Sequence, residues 1–397
     1  MDLESFRALL SPAGQQAIQL AAAAYPSEQT FLSHFQTLTR QLPAPLARAA
    51  LETAILRQES VSKFPFAERL YLTREAYEQS SAYPVTRHRA ARFSGLDHLF
   101  DLGCSIGGDS FGLAPLAPLT AIDLDPLRLE MARANLQALG LAERATFIQA
   151  DLRHKLPFER TRDQQAGIFF DPARRQAGRR VFSVQDYQPP LSILQSWVGQ
   201  FPAIGVKLSP GVKLAELEQY PAEIEFISLH GELKEAVLWF GPLKTAPGRA
   251  TLLPGGETLV GPPAAGLPIS KPQSFLYEPD PAVLRAGLVA NLGHILGASQ
   301  LDPDIAYLTS STQTVTPFAR CWPVSDWFPF QLKRLRSYLR ERNIGQVVIK
   351  KRGSPLIPEE LERQLRLSGS GQATIFLTQW LGDPIILIAG AEIKITG

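Results

Sequence analysis

Apolar and polar positions alternate along the 397-residue chain in three distinct rhythms. Residues 1–95 carry helical spacing. Ser11-Pro12 reads as an N-cap followed by proline at the first helical position, and Ile18, Leu20, Ala21 and Ala24 follow it. Ser27 starts another helix with Phe31, Leu32, Phe35 and Leu38 on one side, and Leu46, Ala50, Leu51 and Ile55 continue the pattern to about Val61. Shorter helices are expected near Thr73–Ser80 and Val85–Phe93.

The rhythm changes at residue 96. Short apolar runs now alternate with helical stretches, the signature of a parallel sheet with crossover helices. Strands are expected at 98–101, 119–123, 145–149, 166–170, 203–208, 224–230 and 236–240. Helices are expected at 109–115, 126–139, 190–200 and 213–219. The last two strands lie too close together for a crossover, so they must form a hairpin and place an antiparallel strand at the end of the sheet. After a Pro/Gly-rich stretch at 246–275, one helix is expected at about 280–297 and strands near 305–309 and 315–321. Helix Gln331–Arg342, strand Gln346–Lys350, a helix from Pro358, and strands Ala373–Trp380 and Pro384–Ala389 complete the pattern. The implied division is 1–95 helical, 96–252 α/β, 253–325 small α+β and 326–397 a second α+β unit.

Composition narrows this little. Apolar residues at 45% and charged residues at 20% support folded cores, and a formal net charge of +2 leaves any basic character local. One such place is residues 320–397, with 12 Lys/Arg against 7 Asp/Glu. The two cysteines, Cys104 and Cys321, exclude a disulfide framework and a cysteine-rich zinc site and read as buried thiols. No metal is expected. No apolar run reaches the length of a membrane span, and the start lacks a signal-like segment. A cytoplasmic protein is the expectation.

The candidate chemistry sits at the strand ends. Asp101 closes the first strand, and a loop with Gly103, Gly107 and Gly108 follows it. Glycines there let backbone approach a ligand closely. Asp123 ends the second strand 20 residues beyond Gly103, where an acid can accept both ribose hydroxyls. Asp151 and Asp171 end the third and fourth strands. In an open α/β sheet a ligand lies across these carboxyl ends. S-adenosylmethionine suits them: its cationic amino group and sulfonium near Asp101, its ribose diol on Asp123, its adenine amino group on Asp151. Asp109 starts a helix and reads as an N-cap. Arg153, His154, Lys155, Arg174, Arg175, Arg179, Arg180, Arg87, Arg89 and Arg92 are expected to form a positive rim suited to phosphates. Lys207 ends the fifth strand on the same face, either contacting substrate or pairing with one of the acids. His154 and His230 lack partners for a triad or metal site, and Trp322, Trp327, Phe328 and Phe330 read as core.

Asp101-Leu-Gly-Cys-Ser-Ile-Gly-Gly-Asp109, Ala121-Ile-Asp-Leu-Asp-Pro126 and Ala132-Arg-Ala-Asn135 resemble class I S-adenosylmethionine-dependent methyltransferases, in the branch of the RNA cap guanine-N2 methyltransferases. Phe170-Asp-Pro-Ala-Arg-Arg175, Tyr277-Glu-Pro-Asp-Pro281 with Arg285, and Val348-Ile-Lys-Lys-Arg-Gly353 resemble a bacterial group that adds a ferredoxin-like unit and a THUMP-like C-terminal domain. The resemblance implies a Rossmann-like, seven-stranded methyltransferase domain, with Asp101, Gly103, Cys104, Gly107, Asp123, Leu124, Asp151 and Leu152 around the cofactor. It implies an RNA substrate, since THUMP domains bind RNA. Enzymes that methylate amines carry Asp/Asn-Pro-Pro-aromatic after the fourth strand. Here the tetrad is Asp171-Pro172-Ala173-Arg174. Asp171 and the Pro172 carbonyl can hold an amine, while Arg174 stands where the stacking aromatic would be, and a guanidinium also stacks on bases. Arg174, Arg175, Lys207, Arg89 and Arg92 are the expected substrate contacts. Other readings of the same residues are a methyltransferase acting on a protein or small molecule, a non-catalytic RNA-binding protein, and a dinucleotide-dependent oxidoreductase. The hairpin at the end of the sheet disfavours the last.

Overall fold

A computed structural model describes residues 1–154, 156–158, 165–173, 175–176, 179–180 and 183–394, with the side chains of 175, 176, 179 and 180 not described. The chain forms two compact units. The first comprises Met1–Glu223 and Glu235–Thr245, and the second Ile224–Lys234 and Ala246–Gly397.

The first unit begins with helices α1 (Leu3–Leu10), α2 (Pro12–Ala23), α3 (Phe31–Leu38), α4 (Ala44–Glu59), α5 (Arg74–Gln79) and α6 (Tyr83–Ala91). The Ser11 side chain accepts from Gly14 N–H, with Pro12 at the first position of α2, so that cap is as expected. The expected apolar side of α3 contributes no buried residue. The strands that follow are β1 (His98–Leu102), β2 (Leu119–Asp123), β3 (Ala145–Gln149), β4 (Ala166–Phe170), β5 (Arg175–Gln176), β6 (Arg179–Arg180), β7 (Ala203–Leu208), β8 (Glu223–Leu229) and β9 (Glu232–Phe240); the two-residue β5 and β6 pair with each other in a separate ribbon. In the first unit the order is β3-β2-β1-β4-β7-β9. All neighbours are parallel except β7–β9. The expected antiparallel strand is therefore present. It is joined to β8 by His230-Gly231, whose φ angles of 54° and 76° suit a tight two-residue hairpin turn.

Crossover helices are α7 (Ser110–Leu113), α8 (Pro126–Ala138) and α9 (Leu194–Trp197). The helix expected at 213–219 is a single 3-10 turn, Leu214–Glu216. The stretch expected as a helix at 190–200 is a 3-10 turn followed by the four residues of α9. The central strands are buried on both faces: every residue of β4 and of β7 is buried.

In the second unit β8 pairs parallel with β10 (Gly248–Leu253), which pairs antiparallel with β11 (Glu257–Val260). A seven-stranded sheet follows, built from β12 (Phe275–Pro279), β13 (Ser299–Asp302), β14 (Ile305–Ser310), β15 (Ala319–Pro329), β16 (Ile344–Lys351), β17 (Gly371–Trp380) and β18 (Asp383–Ala389), in the order β13-β14-β12-β15-β18-β17-β16. Its helices are α10 (Pro281–Arg285), α11 (Val289–Leu296), α12 (Leu332–Glu341) and α13 (Pro358–Leu365). The single helix expected at 280–297 is thus two helices, separated where Gly287 takes a φ of 72°. β15 begins at Ala319, later than the expected 315. It pairs with β12 through Ala319–Pro323 and with β18 through Val324–Pro329, so the boundary drawn at 325/326 falls inside one strand. Trp322 and Phe328 are buried, and Trp327 and Phe330 pack against the core clusters they belong to.

Candidate active site

The strand ends of the first unit converge on the loop after β1. Gly103 and Cys104 N–H groups both donate to the Ile122 carbonyl, pinning the loop to β2. Gly103 adopts a φ of 79°, and a Cβ there would meet the Asp171 carbonyl oxygen at 2.5 Å. The glycine loop and the β4 end are therefore in backbone contact, which only glycine permits. Asn135 on α8 holds the other side of the loop, donating to Ile106 O at 2.9 Å while bonding both backbone groups of Tyr71. Cys104 contributes backbone only: its side chain is buried with Ala121, Leu129 and Ala132, and burial pushes the thiol well up.

Asp123 accepts from Ser105 N–H at 2.8 Å on one oxygen and from Asp125 N–H at 2.9 Å on the other. Each carboxylate oxygen keeps a lone pair for a further donor, so both can receive a diol. Burial pushes its pKa up. Leu124 beside it is an apolar side chain 57% exposed, and Leu152 is buried. Asp151 is engaged by Arg153, through backbone N–H at 2.9 Å and the guanidinium at 2.6 Å, and those bonds hold it down at about 2.

Beneath the loop lies a buried charge cluster. Asp101 is fully buried. Ser110 Oγ donates to its Oδ2, and Oδ1 has no partner. Burial, followed by Asp109, pushes Asp101 well above the carboxylate range. Asp109 makes no cap bond to α7 and instead pairs with Arg89, which corrects the N-cap reading. Arg89 is 1% exposed and also pairs with Glu235, whose other oxygen accepts from Ser81 Oγ at 2.7 Å. Burial works to lower the Arg89 pKa, but Asp109 and Glu235 overcome it and raise it. Arg92 bonds Glu223 at 2.9 Å and the Leu243 carbonyl at 2.7 Å. Neither arginine lies on a phosphate-binding rim: α6 packs this face inward, and both guanidinia satisfy internal carboxylates. Lys207 is 2% exposed and donates to Asp171 Oδ2 at 2.7 Å and to Gln79 O at 3.3 Å. Of the two roles expected for Lys207, the pairing with an acid is the one seen. Arg87 is exposed. Lys155 and Arg174 lie outside the described residues, as do the side chains of Arg175, Arg179 and Arg180.

The Arg89–Asp109–Glu235 triad escaped sequence reasoning. A signal existed: Arg89 falls four residues after Val85 and beside Ala90 and Phe93, on the apolar side of its helix.

Comparison with known proteins shows the family. The chain is 37% identical over 341 residues to a protein of Mycobacterium tuberculosis described as an uncharacterized S-adenosylmethionine-dependent methyltransferase, covering 83% of this chain and 92% of that one. The chain belongs to the S-adenosylmethionine-dependent methyltransferases. It is also 30% identical over 92 residues to trimethylguanosine synthase of Schizosaccharomyces pombe, 22% of this chain and 38% of that one. A putative methyltransferase from Porphyromonas gingivalis shares the fold, with a TM-score of 0.76, 22% identity and coverage of 92% of this chain and 98% of that chain. Residues 319–391 match the THUMP domain-like family and residues 2–60 a domain of unknown function. The cofactor is S-adenosylmethionine, and the methyltransferase's residues fit it: an unpartnered buried carboxylate oxygen at Asp101, a loop that a Cβ at Gly103 would jam, and free lone pairs on Asp123. Among the described residues no cluster of His, Cys, Asp and Glu could hold a metal, and no helix is long and apolar enough to cross a membrane.

Proposed function

We propose that this methyltransferase modifies RNA in the cytoplasm, at an amino group of a base held by Asp171 and the Pro172 carbonyl. The carrying observation is the β4 end itself. Asp171 touches the glycine loop through its carbonyl and is held by buried Lys207 through Oδ2, with its side chain one-fifth exposed. Asp101, Gly103, Gly107, Asp123, Leu124, Asp151 and Leu152 are the proposed cofactor contacts, with Asp151 exchanging Arg153 for the adenine amino group. RNA is supported by the THUMP-like match and by the similarity to trimethylguanosine synthase. A reducing compartment suits the two free, buried thiols.

The bound cofactor supplies a methyl group on a positively charged sulfur. Lys207 fixes the rotamer of Asp171. Asp171 Oδ1 and the Pro172 carbonyl accept the two N–H bonds of the amine and aim its lone pair at the methyl carbon. Most of the acceleration comes from this orientation. Asp171 then takes a proton from the methylated nitrogen. Arg174 and Arg175 are the proposed base and phosphate contacts.

The test is transfer of labelled methyl from S-adenosylmethionine to total RNA and, separately, to protein extract and a metabolite fraction. Label in RNA that ribonuclease removes supports the reading. Label confined to protein or to small molecules overturns it.

A further inference from the structure

The buried cluster under the cofactor loop has an uneven charge. Four carboxylates meet there: Asp101 from β1, Asp109 from the loop before α7, Asp171 from the end of β4 and Glu235 from β9. Two cations face them: Arg89 from α6 and Lys207 from the end of β7. Among the described residues the Cys104 thiol also faces Asp101, and Asp123 from β2 faces that thiol. Three of the four carboxylates have an ion-pair partner. Asp109 and Glu235 share Arg89, and Asp171 has Lys207. Asp101 is the exception among the described residues. It is fully buried, holds one hydroxyl donor from Ser110, and leaves Oδ1 without any partner.

An ionised carboxylate in that setting is costly unless a cation arrives. S-adenosylmethionine brings one. It carries a sulfonium and an ammonium against a single carboxylate, so its net charge is positive. The demethylated product, S-adenosylhomocysteine, keeps the ammonium and carboxylate and is neutral overall.

We propose that Asp101 is a charge-specificity residue: it is a neutral carboxylic acid in the free protein, gives up its proton to solvent when the cationic cofactor binds, and regains a proton when the neutral product occupies the same loop. The charge balance closes. The cluster gains one positive charge and loses one proton on loading. Methyl transfer removes the sulfonium charge, and one proton returns. The site therefore favours cofactor over spent product by an amount that grows with pH, because the protonated Asp101 holds no charge for the sulfonium to meet. In the free protein, burial and the neighbouring Asp109 and Asp171 charges push the acid in the direction this requires, against the pull of Ser110 and Arg89.

Calorimetry on the full chain tests this without any acceptor substrate. S-adenosylmethionine and S-adenosylhomocysteine are each titrated in phosphate and in imidazole, between about pH 6 and pH 7, below the range near 8 where the α-amino group loses its proton. The expected result is a cofactor heat that differs between the buffers by about one released proton. Its affinity should rise up to about tenfold per pH unit, while product heat and affinity stay flat. Asp101→Asn should bind with buffer-independent heat. Ser110→Ala, which removes the donor favouring the ionised form, should keep the released proton and extend the rise in affinity to higher pH. Buffer-independent cofactor heat in the wild-type protein overturns the proposal. So does proton release that persists in Asp101→Asn, which would assign it to another carboxylate. If Asp101→Asn does not fold, the wild-type comparison of cofactor with product and the Ser110→Ala shift still decide.

Discussion

Replacing Arg89 by methionine separates a rim arginine from a buried one. Methionine keeps an unbranched side chain of similar length and removes the guanidinium. In the structure the Arg89 amino groups engage Asp109 and Glu235, and its carbon Cζ lies 4.8 Å from the centre of the Phe169 ring. With Arg89 gone, both acids stay buried, Glu235 keeping Ser81 and Asp109 losing its ion-pair partner. Removing one partner of a buried ion pair costs about 3–5 kcal/mol, a large share of the roughly 5–15 kcal/mol that folded domains possess. A surface arginine would cost within about 0.5 kcal/mol. The sign of the pH dependence follows from Asp109, whose folded pKa is already raised, largely by burial. An acid raised in the folded state binds its proton more tightly there. Removing Arg89 raises the Asp109 value further, so the deficit of the variant opens as pH rises through the wild-type folded value, itself above the ordinary 3.8, and narrows as pH falls below it. Urea unfolding at about pH 5 and pH 8, with hydrogen exchange across α6, measures both effects. A loss below about 0.5 kcal/mol, or a loss equal at the two pH values, refutes the buried-triad account.

Other outcomes follow from the same geometry. Lys207→Met should lower methyl transfer about 100-fold or more with little change in cofactor affinity, read by single-turnover kinetics beside calorimetry. Gly205→Ala should destabilise the first unit by about 1–3 kcal/mol, because the new Cβ would meet the Trp239 ring at 2.5 Å; thermal unfolding reads this directly. The Asp151 carboxyl should titrate near 2 by NMR, and Arg153→Ala should return it toward 3.8.

Strands 119–123, 166–170 and 203–208 were legible because they are largely or wholly buried and read as short apolar runs; these three and the half-exposed edge strand 145–149 agree with the observed bounds to the residue. The hairpin was legible from the short gap between the strands expected at 224–230 and 236–240, although the turn itself falls at His230-Gly231. The loop glycines and Asp123 were legible because their spacing is local. What escaped was long-range pairing. Nothing near Arg89 in sequence announces Glu235, 146 residues away; for Lys207 an acid partner was one of two expected roles, and only the fold singles out Asp171, 36 residues away. A basic helix face and a buried ion-pair face share one composition, and only packing separates them. The 280–297 segment was read as one helix because its leucines keep helical spacing across Gly287, where the chain turns at a positive φ. In the second unit Lys350, at the end of an expected strand, likewise has a distant partner: it pairs with Glu278 and lies 4.4 Å from the centre of the Trp322 ring.

The account rests on the cofactor lying across the strand ends with its ribose on Asp123, and calorimetry of S-adenosylmethionine binding to wild-type and Asp123→Ala chains tests this most directly. Hydrogen bonds to a charged group contribute about 1.5–3 kcal/mol, so the variant should bind about 10- to 150-fold more weakly while remaining folded. Equal affinities would contradict the placement of the cofactor.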